Sequence, residues 1–324
     1  MRFSRELLTR ESQATGFRPE ILEKVFQLLH LLKSFLSHPF LRDCLILKGG
    51  TALNLFYFDV PRLSVDIDLN YVGAVDRETM LQDRPRIEEA VQAVCSREGF
   101  TVRRQPSDHA GGKWSLRYES GFGQGGNLEV DLNFMFRESL FPIDALDSRS
   151  IGSYRAEAIP VLDIHELAAG KFVALLSRQA SRDLFDTHLL LSQSEFDNDK
   201  LRLAFVVYGA MSRKDWRTVS LEDIDFDRQE LENQLVPVLN QAMVASVDLQ
   251  EWTETLVNEC RQSLGVLLPL NDKEVEFLSM INDSGEICPY LLTDDSNLQE
   301  KIFRHPLLKW KAQNVRQYRG SSVD

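Results

Sequence analysis

The pattern of hydrophobic and polar positions changes once along the chain. Up to about residue 160, short apolar runs alternate with turns, which is typical of strands mixed with helices. Beyond that point apolar residues recur at three- and four-residue spacing, which is typical of helices. We therefore predict an α/β (α+β) fold, in which a mixed sheet in residues 1–160 is followed by a mainly α-helical domain in residues 161–324.

The first region begins with an amphipathic helix that starts at Pro19 and covers residues 19–37. Residues 113–120 and 127–136 alternate apolar and polar positions on either side of a glycine-rich turn, and this predicts a β-hairpin. The other predicted elements are strands at 43–47, 63–71, 100–104 and 157–162 and helices at 52–58 and 77–99, the last of which starts at Arg77 or at Pro85.

The second region is predicted to contain helices throughout. The spacing of Asp163 and Glu166 predicts a capping box at the first helix. The predicted helices cover residues 164–177, 182–191, 200–211, 228–244, 248–264 and 272–281.

Charge and cysteine usage narrow the function classes. The formal net charge of −12 argues against a protein that coats itself with nucleic acid, although a local basic groove stays possible. Basic residues crowd near the C-terminus, as a solvated tail or as a binding surface: Lys301, Arg304, Lys309, Lys311, Arg316 and Arg319.

Scattered cysteines predict neither a zinc site nor a disulfide framework, and a reducing cytoplasm is expected. No apolar run predicts a membrane span, and the first residues lack a signal-peptide core.

A glycine turn stands between an apolar run and a predicted helix. Backbone N–H groups at such a turn can approach phosphate, and the start of a helix favours negative charge. The spacing differs from that of a P-loop. We expect the turn to hold the phosphates of a nucleoside triphosphate (NTP), through Lys48, Gly49, Gly50 and Thr51. Arg62 and Ser64 are predicted triphosphate contacts at the entry of the following strand.

Two carboxylates follow on that strand. Asp66 and Asp68 share one face because side chains of a strand alternate. Asp131 occupies an equivalent position on the later hairpin strand and completes a cluster if the two strands are neighbours. Like charges at close range need a cation, so the pattern favours Mg²⁺ (or Mn²⁺) with oxygen ligands, although a solvated strand face gives the same pattern. A second Asp-Ile-Asp, at residues 223–225, has no such glycine turn and is predicted to be an acidic loop.

The order of these motifs resembles the polymerase-β-like nucleotidyltransferase superfamily, whose pattern is hG[GS], [DE]h[DE]h and a later h[DE]h. The matching residues are Leu47–Gly50, Asp66–Leu69 and Val130–Leu132. Within it, LKGGTALNL and RLSVDIDL resemble the AbiEii/AbiGii toxin family, which includes the MenT toxins. The resemblance implies Mg²⁺-dependent transfer of a nucleotide from an NTP to a hydroxyl acceptor, such as the tRNA 3′ end. It also implies a role in a type IV-like toxin–antitoxin or phage-defence system, and a cognate antitoxin encoded nearby.

The segment DIHELAAGKFVALLSRQASRDLFD resembles the helix of this family that bears a motif lysine. From the residues alone, Lys171 snorkels to the surface, and Asp183 and Asp186 pair with Arg178 or Arg182. The resemblance instead makes Lys171 a triphosphate-binding or catalytic residue and places Asp186 beside it. The active site is then expected in a cleft between the two domains, with catalytic residues Asp66, Asp68, Lys171 and Asp186.

Other functions stay open from the sequence. The acceptor could be a protein or a small molecule such as an aminoglycoside, or the chain could act by binding a partner without chemistry. If the acceptor is RNA, a basic strip formed by the C-terminal residues with Arg103, Arg104 and Arg117 could guide its backbone.

Overall fold

A seven-stranded mixed sheet dominates the first part of the chain. The computed structural model describes residues 2–104 and 110–320, with side chains up to residue 318. The strands are β1 Leu45–Lys48, β2 Asp66–Tyr71, β3 Thr101–Arg104, β4 Gly111–Glu119, β5 Gly125–Asn133, β6 Asp144–Leu146 and β7 Ile159–Val161. They are arranged in the order β3-β4-β5-β2-β1-β7-β6, with β2 parallel to β5 and β1 parallel to β7. The predicted mixed sheet and the predicted hairpin, β4–β5, are confirmed.

Helices make up most of the remaining regular structure. They are α1 Arg5–Thr15, α2 Pro19–Ser37, α3 Gly49–Ala52, α4 Arg77–Arg97, α5 Ile164–Arg178, α6 Ser181–Gln193, α7 Asn198–Met211, α8 Arg228–Glu230, α9 Gln241–Ala245, α10 Leu249–Leu264, α11 Asp272–Ser279, α12 Ser296–Arg304 and α13 Pro306–Gly320. Single π-helical turns extend α3, α8 and α11. The predicted α/β class with a helical second part is confirmed.

The chain forms two compact units whose segments are interleaved in sequence. The first unit contains the whole sheet and consists of Met1–Arg137, Ile143–Leu162 and Glu232–Val247. The second unit is helical and consists of Glu138–Pro142, Asp163–Leu231 and Asp248–Asp324. The division into domains at residues 160 and 161 stays a prediction.

The two faces of the sheet differ in polarity. Ile67, Val130 and Trp114 are neighbours on β2, β5 and β4, and all three are fully buried. Helix α2 packs against β2 and β5, and α4 packs against β3. On β2, β5 and β4, side chains of the opposite face are polar, and all but the buried Asn70 are half-buried or exposed. A one-residue slip of β2 would bury Asp68 and expose Ile67, so burial of the apolar face fixes the register.

The structure corrects two predicted boundaries before the carboxylate strand. The first strand covers Leu45–Lys48 rather than 43–47, because Asp43 ends a 3₁₀ turn. The following helix begins at Gly49 rather than at residue 52, so the two glycines form its first turn instead of preceding it. The turn therefore carries its glycines at the helix N-terminus itself.

The predicted helix over residues 228–244 is wrong. Pro237 lacks an N–H group and interrupts the segment after Leu235. Asn240 then caps a separate short helix, its side chain accepting from the N–H groups of Ala242 and Met243. Leu239 forms a β-bridge with Arg62, which joins this segment to the first unit.

Pro85 does not start α4 but lies inside it, because Asp76 caps the helix by accepting from the N–H of Thr79. Three helices, α1, α12 and α13, were not predicted. Each carries a start signal in the sequence, namely Ser4, Asp295 and Pro306.

All four cysteines are free and buried, and burial raises the pKa of the Cys95 thiol to about 12. Among the helices of the described ranges, none is both long and apolar enough to cross a membrane.

Candidate active site

Asp68 lies directly opposite Asp131 in the parallel pair β2–β5. Asp66 lies opposite Glu129 in the same pair. All four side chains are half-buried, whereas the residues between them are fully buried. The predicted neighbour relation of the two strands is confirmed, and it places the carboxylates side by side on the open face.

Lysines stand at both ends of the row formed by the two opposed aspartates. In the strand register, Lys48 is the partner of Asp68 and Lys113 is the partner of Asp131. The Lys113 ammonium donates to Glu129 at 2.8 Å. This hydrogen bond raises the pKa of Lys113, burial opposes it, and the charges of Glu129, Asp66 and Asp131 raise it further. Lys113 therefore offsets part of the negative charge of the row.

Lys113 was not among the predicted site residues. Its signal was present in the sequence, since it belongs to the polar face of the hairpin strand that pairs with the Asp131 strand. The register of β4 against β5 places Lys113 beside the carboxylates, and the alternation of polar and apolar residues does not fix that register.

Gly49 permits the close approach of the Asp68 carboxylate. Its φ is +73°, a conformation that L side chains rarely adopt. A Cβ placed on Gly49 would lie 2.1 Å from Oδ2 of Asp68. Both the positive φ and the close contact require a glycine at position 49. The glycine turn therefore lies directly against Asp68, a candidate metal ligand.

Gly50 is covered by the two polar residues predicted as triphosphate contacts. A Cβ on Gly50 would lie 2.9 Å from Nη2 of Arg62 and 3.0 Å from Oγ of Ser64. Both side chains are buried, and Arg62 also donates to the Leu63 carbonyl at 3.0 Å. The structure brings Arg62 and Ser64 to the glycine turn, and their contact with a triphosphate stays a prediction.

Thr51 fixes the turn to the carboxylate strand. Its side chain is fully buried, and its hydroxyl donates to the Asp66 carbonyl at 2.5 Å. This bond positions the turn. A phosphate contact of Thr51 stays a prediction, as does that of Lys48, whose ammonium lies 5.3 Å from the centre of the Phe136 ring.

The donor set suits a hard divalent cation, because Asp66, Asp68 and Asp131 offer only carboxylate oxygens on a half-open face. They are not drawn together around one point. Throughout the described ranges, no group of three or more His, Cys, Asp or Glu side chains is placed to hold a metal ion.

In the second unit, Lys171 of α5 is bound between two carboxylates of α6. Its ammonium lies 2.9 Å from Oδ1 of Asp183 and 2.7 Å from Oδ2 of Asp186. The lysine side chain is 13% exposed and that of Asp186 is fully buried. The expectation from the residues alone, a lysine that snorkels to the surface, is wrong, whereas the expected neighbourhood of Lys171 and Asp186 is confirmed.

Asp183 links this pair to the surface. Its Oδ2 accepts from Nε of Arg178 at 2.7 Å. Burial alone would raise the pKa of Asp183, but the charges and hydrogen bonds of Lys171 and Arg178 lower it below its ordinary value. Asp183 is therefore a buried carboxylate held ionised by two cations. The location of this cluster relative to the carboxylate row stays a prediction.

The predicted capping box at α5 is only half formed. Asp163 caps the helix by accepting from the N–H of His165. Glu166 turns inward instead, where its carboxyl group accepts from the N–H of Phe141 and from the hydroxyl of Tyr208. Burial raises the pKa of Glu166 to about 7.

Most of the described basic residues near the C-terminus bind groups of the second unit, although Lys309 and Arg316 stay exposed. Arg304 pairs with Glu138 at 2.6 Å, and Lys311 donates to the carbonyl groups of Ala210 and Ser212. Lys301 and Arg316 likewise donate to backbone carbonyl groups. These cations hold helices of the second unit together, and Arg319 lies outside the described side chains.

The second Asp-Ile-Asp is an acidic loop, as predicted. Asp223 pairs with Lys214 at 2.7 Å, and Asp225 is exposed. This copy lies outside the sheet and serves as an internal comparison for the first.

Comparison with known proteins identifies the family of the chain and agrees with its fold. Residues 30–256, more than half of the chain, match the AbiEii family, described as a nucleotidyl transferase AbiEii toxin of a type IV toxin–antitoxin system. The structure is similar to that of MenT4, a nucleotidyltransferase toxin from Mycobacterium tuberculosis H37Rv, with a TM-score of 0.62 and 18% sequence identity over 97% of this chain and 99% of that chain. No curated protein sequence matches the chain.

Proposed function

The chain belongs to the AbiEii family of nucleotidyltransferase toxins, and from this premise we propose that it transfers a nucleotide from an NTP to the 3′ hydroxyl of tRNA. The observation that carries the proposal is the opposition of Asp68 and Asp131, with Gly49 beneath the Asp68 carboxylate. This arrangement offers oxygen ligands next to a helix N-terminus suited to phosphate.

The proposed reaction forms one bond and breaks one. The acceptor hydroxyl oxygen bonds to the α-phosphorus of the NTP, and the bond from that phosphorus to the departing pyrophosphate breaks. The hydroxyl proton leaves to a carboxylate of the Asp66–Asp68 pair. The acceptor gains a nucleoside monophosphate, so charge and atoms balance without an oxidant or reductant.

Asp66, Asp68 and Asp131 would hold Mg²⁺ or Mn²⁺, and such an ion, when bound, supplies charge stabilisation for the attacking and leaving oxygens. The chain's own residues do the rest. Gly49 and Gly50 present backbone N–H groups at the first turn of α3, while Thr51 fixes that turn to β2.

Lys171 and Asp186 are proposed to complete the catalytic set. Lys171 would neutralise triphosphate charge, and Asp186 would hold its ammonium in place through their 2.7 Å contact. A buried ammonium loses little conformational freedom when an anion arrives, which favours this role over a surface lysine.

The proposed biological setting is a type IV toxin–antitoxin or phage-defence system in the cytoplasm. Blocking the tRNA 3′ end would stop aminoacylation and hence translation. The family implies a cognate antitoxin as partner.

The acceptor class can be tested in one experiment. Purified protein is incubated with Mg²⁺ and each α-labelled NTP in turn, together with total tRNA, a cell protein extract or an aminoglycoside. The proposal expects label on tRNA, loss of label with Asp68→Asn, and no loss with the matched Asp225→Asn in the acidic loop. Label on protein or aminoglycoside alone would replace tRNA as acceptor, and no labelled product with any NTP would contradict the proposed reaction.

A further inference from the structure

The open face of the sheet becomes cationic toward its β3–β4 edge. We define the arginine strip as Arg103 and Arg104 of β3 and Arg117 of β4, all of which are exposed. The strip belongs entirely to the first unit, the unit that contains the carboxylate row. A positive strip in a chain of net charge −12 is a local feature that the average charge conceals.

The strand register connects this strip to the carboxylates in a straight line. The partners across four adjacent strands are, in order, Arg104, Ser115, Glu129 and Asp66. Three strand spacings separate β3 from β2, a distance of about 14 Å. Lys113 lies on β4 between the strip and the row, bonded to Glu129.

The guanidinium groups of the strip form no ion pair with any other described residue. Arginines nearby behave differently, since Arg2 pairs with Glu119 and Arg97 pairs with Glu98. In a chain with an excess of carboxylates, arginines grouped on one edge without carboxylate partners are available for an external anion.

A groove of about 630 Å³ lies where β3 and β4 adjoin the β4–β5 turn. Arg103 and Arg117 line it, and so do Glu119 and Arg2, which pair with each other. The Arg117 side chain lies across Gly125, where a Cβ would be 2.3 Å from its Nε. The glycine therefore lets the guanidinium lie flat on the floor of the groove. The N–H donors of a guanidinium lie in its plane, so they point along the groove toward an anion that lies beside it.

We propose that the arginine strip binds the phosphodiester backbone of the RNA acceptor and leads its 3′ end to the carboxylate row; this inference rests on the proposed function. Arginine binds phosphate in a bidentate manner, and successive phosphates of a strand match a line of cations. The about 14 Å between β3 and β2 corresponds to about four stacked nucleotides. Contacts of this kind position a strand without reading its bases.

The test compares two triple variants with equal charge change. One is Arg103→Gln/Arg104→Gln/Arg117→Gln; the control is Arg18→Gln/Arg42→Gln/Arg86→Gln, which alters exposed arginines outside the strip. Fluorescence anisotropy with 5′-labelled tRNA gives Kd at several salt concentrations, and thermal unfolding of each variant verifies its fold. A double variant, Arg103→Gln/Arg117→Gln, replaces the glutamine triple if that triple fails to fold, and it should reduce the salt slope by about one. A further variant, with lysine at all three strip positions, keeps the charge.

We expect the strip triple to raise the Kd for tRNA at least about tenfold in low salt and to reduce the salt slope by about two, as three lost phosphate contacts predict. The control triple should bind as the unsubstituted protein does, and the lysine triple should keep its salt slope. Affinity for an NTP alone, measured by equilibrium dialysis, should be unchanged in all variants. The inference is wrong if the strip triple keeps the Kd and the salt slope of the unsubstituted protein. It is also wrong if the control triple loses as much affinity, or if the unsubstituted protein does not bind tRNA.

Binding and transfer are measured separately, so the two proposals can fail separately. If transfer to tRNA has the same KM in the strip triple as in the unsubstituted protein, the arginine strip does not bind the acceptor, but the proposed reaction stands. If tRNA binding depends on the strip but no nucleotide is transferred, the proposed reaction is wrong, but the role of the strip in binding stands. Weakened NTP binding in the strip triple would assign these arginines to the nucleotide and overturn the inference.

Discussion

Asp68 of β2 and Asp131 of β5 are direct partners in a parallel strand pair, although more than sixty residues separate them in sequence. Both carboxylates point to the open face, because burial of the residues on the other face fixes the register of each strand. The pair has a lysine at each end of its row, Lys48 and Lys113. The position of these candidate carboxylates thus follows from packing of their apolar neighbours.

Gly49→Ala should impair activity more than stability. The substitution forces a side chain into a φ of +73° and places Cβ 2.1 Å from the Asp68 carboxylate, which must move. We expect a loss of stability of about 1–3 kcal/mol from the strained backbone and a loss of about a hundredfold in kcat/KM from the displaced carboxylate. Denaturant unfolding and transfer assays measure the two effects.

The matched control is Gly123→Ala. Gly123 has a φ of +81° with no heavy atom within 4 Å of its Cβ position, so it carries similar backbone strain without the contact. Activity should persist in this variant. Equal losses of activity in the two variants would show that the Gly49–Asp68 contact has no special role.

Lys171→Gln should destabilise the second unit by about 3–5 kcal/mol, because removing one partner leaves buried carboxylates uncompensated. The double variant Lys171→Gln/Asp186→Asn removes both charges of the 2.7 Å pair and should recover much of that stability. Chemical denaturation gives the free energies of unfolding.

The same two variants separate structure from catalysis. Transfer activity should stay lost in the double variant even though its stability recovers. Recovery of activity together with stability would assign Lys171 a structural role only.

The pH dependence of stability should carry the signature of Glu166. Its pKa rises from 4.5 to about 7 on folding because of burial, so the folded state binds more protons between these values. Stability should therefore fall as pH rises from 4.5 to 7, by about 3 kcal/mol for this group. Glu166→Gln should remove this fall, whereas exposed Glu254→Gln should keep it. Parallel pH profiles for Glu166→Gln and the unsubstituted protein would contradict the assignment.

The elements of the site followed from sequence where local chemistry determined them. The glycine turn is recognised from its turn residues, and the strands of Asp66, Asp68 and Asp131 from their alternation of polar and apolar positions. Neighbouring residues alone specify both patterns. Lys171 and Asp186 entered through resemblance to a family, and their contact in the structure agrees with it.

Contacts between distant segments could not be read from those patterns. The approach of Asp68 to Gly49 depends on the antiparallel register of β1 and β2, and the role of Lys113 depends on the register of β4 and β5. The sequence patterns also did not predict that Glu232–Val247 belongs to the first unit. Pro237, however, is a signal in the sequence that ends the predicted helix. Sequence periodicity reports the face of a residue but not its partner.

Nucleotidyl transfer at the three carboxylates of Asp66, Asp68 and Asp131 is the central proposal. Its most direct test follows the two ends of the triphosphate separately, with NTP labelled either at the α- or at the γ-phosphorus, in Mg²⁺ or EDTA. We expect the α-label on tRNA and the γ-label in pyrophosphate, only with Mg²⁺. Transfer should fall about a thousandfold, equivalent to about 4 kcal/mol of transition-state stabilisation, in Asp131→Asn. Label from the γ-position on the acceptor, or full transfer by Asp131→Asn or in EDTA, would contradict the proposal.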